Sequence, residues 1–124
     1  MYEQGLTFEP GVTRDLLAHC EAYTITKLVI ECETPESYHS HVNAQAVYIL
    51  AGAGIFRLGE ERLSLSAGNC VQIPPNTIHG FCCVSESVQM LEFFVPSRPD
   101  IAQYHQRKDG QVSGSKSEGM EDPK

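Results

Sequence analysis

The residues most able to do chemistry are histidines, of which the chain has five. His39 and His41 stand two residues apart, and alternate side chains of an extended strand project from the same face, so both imidazoles can reach one metal ion. His79 follows forty residues after His39 and can supply a third imidazole from a later strand. This spacing predicts a metal site, whereas His19 and His105 are interpreted as ordinary surface or core histidines.

Gln45 lies four residues after His41 and can add an amide oxygen to the same site. Three neutral imidazoles and a neutral amide leave a divalent ion with its full charge, so the ion acts as a strong Lewis acid and attracts anions. An open position for water or substrate then indicates a catalytic site. The ligand set accepts zinc, nickel, iron, manganese or cobalt, so the metal stays open. If His39, His41 and Gln45 point inward, Asn43 and Val47 do so too, unless a bulge follows His41.

Short runs rich in β-branched, aromatic and aliphatic residues supply the strands that must position these ligands. The predicted strands are residues 23–31, 46–50, 55–58, 63–66, 70–73, 79–84 and 88–95. Clusters of Gly, Pro and Asn separate several of them and are interpreted as turns, at residues 51–54, 59–61, 67–69 and 74–76. Residues 13–21 fit either a short helix or an early strand. The pattern predicts an all-β protein, a sandwich or a barrel.

Length and charge limit the classes of function. The chain has 124 residues, which fits one domain with one core, and we predict a barrel over residues 1–105. A formal net charge of −7 means that no nucleic-acid partner is expected. No run approaches the roughly 18 apolar residues that a membrane span needs. Five cysteines without metal-type spacing are expected of reduced thiols, so we predict a soluble cytoplasmic protein without disulfides.

The composition of the chain changes after about residue 100. Residues 106–124 are polar, rich in glycine and serine, and almost free of aliphatic side chains. Such a segment buries too little apolar area to offset the entropy that is lost on ordering. We therefore predict a disordered C-terminal tail over residues 106–124.

Two motifs resemble those of the cupin superfamily. The first is His39-x-His41-x3-Gln45-x6-Gly52, and the second is Gly68-x5-Pro74-x-Asn76-x2-His79. The resemblance implies a single-domain jelly-roll barrel, also called a double-stranded β-helix, that holds the ligands inside. Gln45 departs from the first motif, where Glu is usual, and Asn76 departs from the second, where Gly is common. The second change is mild because Asn tolerates a left-handed backbone.

Within the cupins, the chain resembles the small pectin-degradation proteins that convert a 4,5-unsaturated uronate into a linear diketo acid. The resemblance covers about residues 10–98 and includes a Pro-Gly-Val-x-Arg opening at residues 10–14. It implies a metal-dependent isomerase with four ligands, namely His39, His41, Gln45 and His79. It also implies that an acid, an aromatic residue and an arginine near the metal act on the substrate, at Glu92, Phe94 and Arg98, with Glu92 in place of the family's Asp.

On this interpretation Glu92 carries a proton between oxygen and carbon, while Arg98 binds the acid group of a small anionic sugar. Met90 and Phe94 share one face of the strand with Glu92, so we expect its carboxylate among apolar neighbours. Small cupins are commonly dimers, so a homodimer is expected, with residues 1–10 covering the partner's sheet edge. Two other classes stay open: an oxygenase, because iron bound by three histidines supports oxygen chemistry, and a non-catalytic cupin that binds a small acid or sugar.

Overall fold

Antiparallel strands make up most of the computed structural model, which describes residues 6–9, 11–32 and 34–102. The strands are β1 (Leu6–Glu9), β2 (Val12–His19), β3 (Thr24–Ile30), β4 (Ala44–Leu58), β5 (Glu61–Ser66), β6 (Cys70–Ile73) and β7 (His79–Val95). One helical turn follows at residues 99–102, and within the described ranges no helix is long and apolar enough to cross a membrane. The all-β prediction is confirmed. The predicted tail, residues 106–124, and the side chains of residues 1–10 lie outside the described part.

Strands β4 and β7 organise the sheet because each is long enough to pair with several others. Hydrogen bonds join the strands in the order β1-β2-β3-β7-β4-β5, and β6 pairs with β4 as well. The first half of β4 lies between β6 and the end of β7, while its second half lies between β5 and the beginning of β7. The two halves therefore belong to different layers of the jelly roll.

The change of layer within β4 falls where the sequence predicts a turn. Residues 51–54 continue the strand, and the pairing with β7 shifts register repeatedly between Ile49 and Phe56. Gly52 has a φ of 91°, and a side chain there would collide with the carbonyl of Ser87 on the adjacent strand. The strand continues through these residues, so the predicted turn is wrong. Glycine is found at bulges in strands as well as in turns, which explains the error. Residues 79–84 and 88–95 likewise belong to one strand, β7.

Alternating burial along the strands creates an interior with an apolar part and a polar part. On β3 the buried residues are Thr24, Thr26, Leu28 and Ile30. Just before β4 and on its first half they are Asn43, Gln45, Val47 and Ile49, as the parity of the ligand segment predicts. The apolar core comprises Leu28, Ile30, Val47, Ile49, Phe56, Leu65, Val71, Ile73, Phe81, Val84, Val88 and Met90.

Candidate metal centre

The backbone brings together the two histidine segments that are far apart in the sequence. The His39 amide donates to the His79 carbonyl at 3.1 Å, and the His79 amide donates back at 2.9 Å. This isolated bridge lies before β4, which begins only at Ala44. His39 lies in this bridge and His41 in the irregular segment before β4, so the prediction that both project from one extended strand is wrong, whereas His79 begins β7.

Asn76 and Gly80 have conformations that let the segment carrying His79 approach the segment carrying His39 and His41. Asn76 has a φ of 60°, the left-handed conformation, and its amide donates to the His41 carbonyl at 2.7 Å. The sequence prediction that Asn tolerates this backbone is confirmed. Gly80 follows His79 where a side chain would collide with the carbonyl of Ser37. Glycine at this position therefore lets the segment that carries His39 lie directly on the start of β7.

The three imidazoles converge where the interior opens to solvent, with His79 buried, His41 half-buried and His39 exposed. Each offers one ring nitrogen, and these atoms lie within 4.8 Å of one another. The ring centroid of His79 is 4.5 Å from that of His39 and 4.9 Å from that of His41. Partial loss of water around the ring lowers the pKa of His39 although its side chain is exposed, and burial is the main cause that lowers the pKa of His79 to about 4. Both rings are therefore neutral at neutral pH, as metal ligation requires.

The hydrogen bonds of the rings leave the nitrogens that face the interior available for a metal. His79 donates from Nδ1 to the Thr77 carbonyl at 2.8 Å, and its buried Nε2 has no hydrogen-bond partner among the described residues. The Nδ1 of His41 lies 3.1 Å from the Asn43 carbonyl, and its Nε2 lies 2.9 Å from Oε1 of Gln45. A divalent cation would satisfy the orphaned, buried Nε2 of His79, and imidazole nitrogens and amide oxygens are atoms that such a cation binds. These residues therefore fit a divalent metal.

The orientation of Gln45 is determined by its second contact. Its amide nitrogen donates to Oε2 of Glu92 at 3.0 Å. An ionised carboxylate accepts hydrogen bonds and donates none, so the amide nitrogen must face Glu92 and the amide oxygen must face His41. Gln45 therefore connects the histidine cluster to Glu92.

Glu92 itself is buried and is held by several donors. Its other oxygen, Oε1, accepts hydrogen bonds from Nε and Nη2 of Arg14, at 3.2 and 2.9 Å, and from the Thr26 hydroxyl, at 2.8 Å. The side chain of Glu92 is 6% exposed. The expectation of apolar neighbours is met only in part, because Met90 and Phe94 are buried on the same face of β7 but the groups that contact the carboxylate are polar. Oε1 anchors the carboxylate, and Oε2 faces the ligands.

The other two predicted substrate residues lie farther from the ligand cluster. Phe94 is 2% exposed, and its ring centroid is 5.7 Å from that of His41 in an edge-to-face arrangement. Arg98 follows β7 and makes a bidentate pair with Asp100, at 3.0 and 2.8 Å, with its guanidinium carbon 5.1 Å from the Phe94 ring centroid. The roles of Phe94 and Arg98 on a substrate stay predictions.

A pocket opens beside the ligands and continues into the apolar interior. Its polar lining includes Arg14, His39, Gln45, His79 and Glu92, while Phe94 and Arg98 are not among the lining residues. Its apolar lining includes Val12, Leu28, Ile30, Val47, Phe56, Phe81, Val84 and Met90. A small molecule in this pocket would contact the ligands at one end and hydrocarbon at the other.

Arg14 and Thr26 are site residues for which the sequence interpretation assigned no role. Arg14 is 78 residues from Glu92 and Thr26 is 66 residues from it. The sequence signals are the Pro-Gly-Val-x-Arg opening that ends at Arg14 and a hydroxyl side chain among inward-facing apolar positions, Thr26 before Leu28 and Ile30. Such a signal identifies an unusual residue but names no partner.

Comparison with known proteins agrees with this fold. The cupin domain model matches residues 28–95, more than half of the chain, and the chain therefore belongs to the cupin family. No curated protein sequence matches the chain.

Several solved structures are similar. KdgF from Halomonas sp. has 26% identity and a TM-score of 0.72, with 77% of this chain and 88% of that chain covered. An RmlC-like cupin from Shewanella frigidimarina has 21% identity and a TM-score of 0.72, with 77% and 85% covered. The DMSP lyase DddQ from Ruegeria pomeroyi has 16% identity and a TM-score of 0.65, with 76% and 51% covered. The two less identical structures support the fold alone.

Proposed function

We propose that the protein is a metal-dependent isomerase that opens a 4,5-unsaturated uronate, or a related unsaturated sugar acid, to a linear diketo acid. The observation that carries the proposal is the contact chain from the histidine cluster through Gln45 to Glu92, which joins an amide ligand to a buried carboxylate. The similarity to KdgF and the motif resemblance support the same class. The DMSP lyase among the similar structures means that fold alone would not choose this reaction.

His39, His41, Gln45 and His79 would hold the divalent ion. When bound, such an ion polarises the substrate oxygens that it contacts. The chemistry of the ligand set accepts zinc, nickel, iron, manganese or cobalt.

Glu92 would move the proton. Opening the ring transfers a proton from the anomeric hydroxyl to carbon 4 of the sugar, breaks the bond between carbon 1 and the ring oxygen, and gains or loses no atom. Oε2 can accept and return this proton, because Oε1 is anchored by Arg14 and Thr26 and keeps the carboxylate in place. Arg98 would bind the sugar carboxylate, which would have to replace Asp100 as its partner.

The test follows loss of the ultraviolet absorbance of the conjugated double bond under nitrogen, with metal-loaded and chelator-stripped protein. We expect metal-dependent decay faster than the spontaneous rate, and no decay above that rate with Glu92→Gln at saturating metal. No acceleration by metal-loaded protein would overturn the proposal. Oxygen uptake with ferrous iron would indicate an oxygenase instead, and tight binding of the acid without turnover would indicate a binding protein.

The metal ligands are tested separately by His41→Ala. We expect this variant to lose metal while its circular dichroism stays unchanged, because the core is aliphatic and aromatic. His19→Ala is the matched control. His19 contacts Thr24 outside the cluster, so this variant should keep its metal. Metal retained by His41→Ala would contradict the assignment.

We further propose that the protein acts as a cytoplasmic homodimer on an anionic small molecule. Support for a dimer comes from outward-facing apolar side chains on β4 and β7, where Tyr48, Leu50, Phe93 and Val95 are 37–54% exposed. Sedimentation of the full chain tests the dimer, and a single monomeric species at micromolar concentration would contradict it.

A further inference from the structure

We propose that Arg14 is a positioning residue for the metal centre: through Glu92 it fixes Gln45 with the amide oxygen toward His41. The inference goes beyond the proposed reaction, because it concerns how the fourth ligand is oriented. It rests on the histidines and Gln45 being ligands.

The first step is the contact between Arg14 and Glu92. Both Nε and Nη2 of Arg14 donate to the same oxygen, Oε1. Thr26 donates to that oxygen as well, from β3, while Arg14 comes from β2 and Glu92 from β7. Donors from two strands therefore prevent rotation of the carboxylate on a third.

The second step is the effect of this anchoring on Gln45. With Oε1 occupied, Oε2 points at the Gln45 amide nitrogen, 3.0 Å away. An amide can present either its oxygen or its nitrogen, and the nitrogen binds no metal cation. Glu92 selects the useful orientation, and partners that orient a ligand typically change metal affinity by about 10- to 100-fold when removed.

The third step separates positioning from simple electrostatics, because the two effects have opposite signs. A positive charge near a metal site repels the cation, so removing Arg14 should tighten metal binding if charge alone matters. Removing Arg14 should weaken binding if its role is to hold Glu92. Arg98 provides the electrostatic reference, since it is paired with Asp100 rather than with Glu92.

The experiment measures Co²⁺ affinity of the full chain by calorimetry with chelator competition, for wild type, Arg14→Met, Arg14→Lys and Arg98→Met. We expect Arg14→Met to bind Co²⁺ about 10- to 100-fold more weakly, with a changed Co²⁺ absorption spectrum because the amide oxygen is no longer held toward the metal. Arg14→Lys should lose less Co²⁺ affinity than Arg14→Met. Lysine can still donate to Glu92, although not through two nitrogens as the guanidinium does. Arg98→Met should bind as tightly as wild type or slightly more tightly.

Thermal unfolding of each metal-free variant tests whether the fold persists. If Arg14→Met does not fold, Thr26→Val is the test and Thr24→Val its matched control. Both threonines are fully buried on β3, but the Thr24 hydroxyl contacts His19 and the Arg98 amide instead of Glu92. We expect weaker Co²⁺ binding from Thr26→Val alone.

Equal or tighter Co²⁺ binding by folded Arg14→Met, or equal losses in the two threonine variants, would overturn the positioning role and leave the proposed reaction standing. A wild-type protein that binds no Co²⁺ would instead overturn the metal site on which both proposals depend.

Discussion

Two arginine–carboxylate pairs lie near the histidine cluster, and they differ in their surroundings rather than in their distances. Arg14 is 2.9 Å from Glu92, and Arg98 is 2.8 Å from Asp100. The side chain of Glu92 is 6% exposed, whereas that of Asp100 is 64% exposed. The residues of the first pair lie on different strands and are 78 positions apart in the sequence. Those of the second pair are two positions apart.

The difference suits the two pairs to different tasks. Breaking a buried pair leaves an uncompensated charge in a poorly hydrated interior, so Arg14 and Glu92 stay together. Water and salt screen the exposed pair, which can exchange its partner at little cost. A fixed carboxylate suits ligand orientation and proton transfer, and an exchangeable arginine suits binding of a substrate anion.

The largest expected effect comes from removing each carboxylate in the metal-free protein. Glu92→Ala should lower the free energy of unfolding by about 3–5 kcal/mol, because it removes the buried carboxylate that accepts from the Arg14 guanidinium and the Thr26 hydroxyl. Asp100→Ala should lower it by less than about 1 kcal/mol, as for other exposed pairs. Urea unfolding of the two variants measures both values. Similar losses for the two variants would show that burial does not distinguish the pairs.

An intermediate effect is expected from pH, which acts on the two regions in different ranges. The folded pKa of His79 is about 4, below its ordinary 6.5, so the unfolded chain takes up the proton first and acid favours unfolding. Stability of the metal-free protein should therefore be complete above pH 6.5 and fall between pH 6.5 and 4. The Arg98 hydrogen bond lowers the pKa of Asp100 from 3.8, so the exposed pair contributes above that pH and is lost below it.

Urea unfolding at several pH values, with chelator present, checks the histidine effect. His79→Gln should reduce the decline between pH 6.5 and 4, because glutamine does not titrate, and His39, whose pKa is also lowered, accounts for part of what remains. An unchanged decline in this variant would assign the acid sensitivity to other groups.

The smallest expected effect concerns substrate binding at the exposed pair. Arg98→Ala should raise KM for the anionic sugar about 10-fold, which is the loss of roughly one charge-assisted contact. Asp100→Ala should lower KM slightly, since Arg98 no longer exchanges partners. Steady-state kinetics with the acid and with its neutral methyl ester measure both. If Arg98→Ala raised KM equally for the ester, there would be no reason to propose that Arg98 binds the sugar carboxylate.

The convergence of the three histidines was predictable because the spacing of His39 and His41 is local and the chemistry of imidazole is specific. His39, His41 and Gln45 lie within seven residues, and the structure brings His79 to them as the motifs predict. The inward parity of Asn43 and Val47 also follows from strand geometry.

The remaining features depend on interactions that no local pattern contains. The contact of Arg14 and Thr26 with Glu92 depends on the register of β2, β3 and β7, which packing of the whole sheet determines. The sequence could not show that β4 continues through Gly52, since glycine is common both in turns and in bulges of continuous strands. The pairing of Arg98 with Asp100 depends on the exact path of the chain after β7.

The reciprocal backbone bridge between His39 and His79 has a consequence for folding kinetics. It closes a loop of forty residues, and the contact of Arg14 with Glu92 closes one of 78. Loops of this length cost chain entropy before any contact compensates for it, and such non-local pairing slows folding. The ligand set therefore exists only after the sheet has assembled, so a metal ion would preserve the finished fold rather than guide the chain toward it.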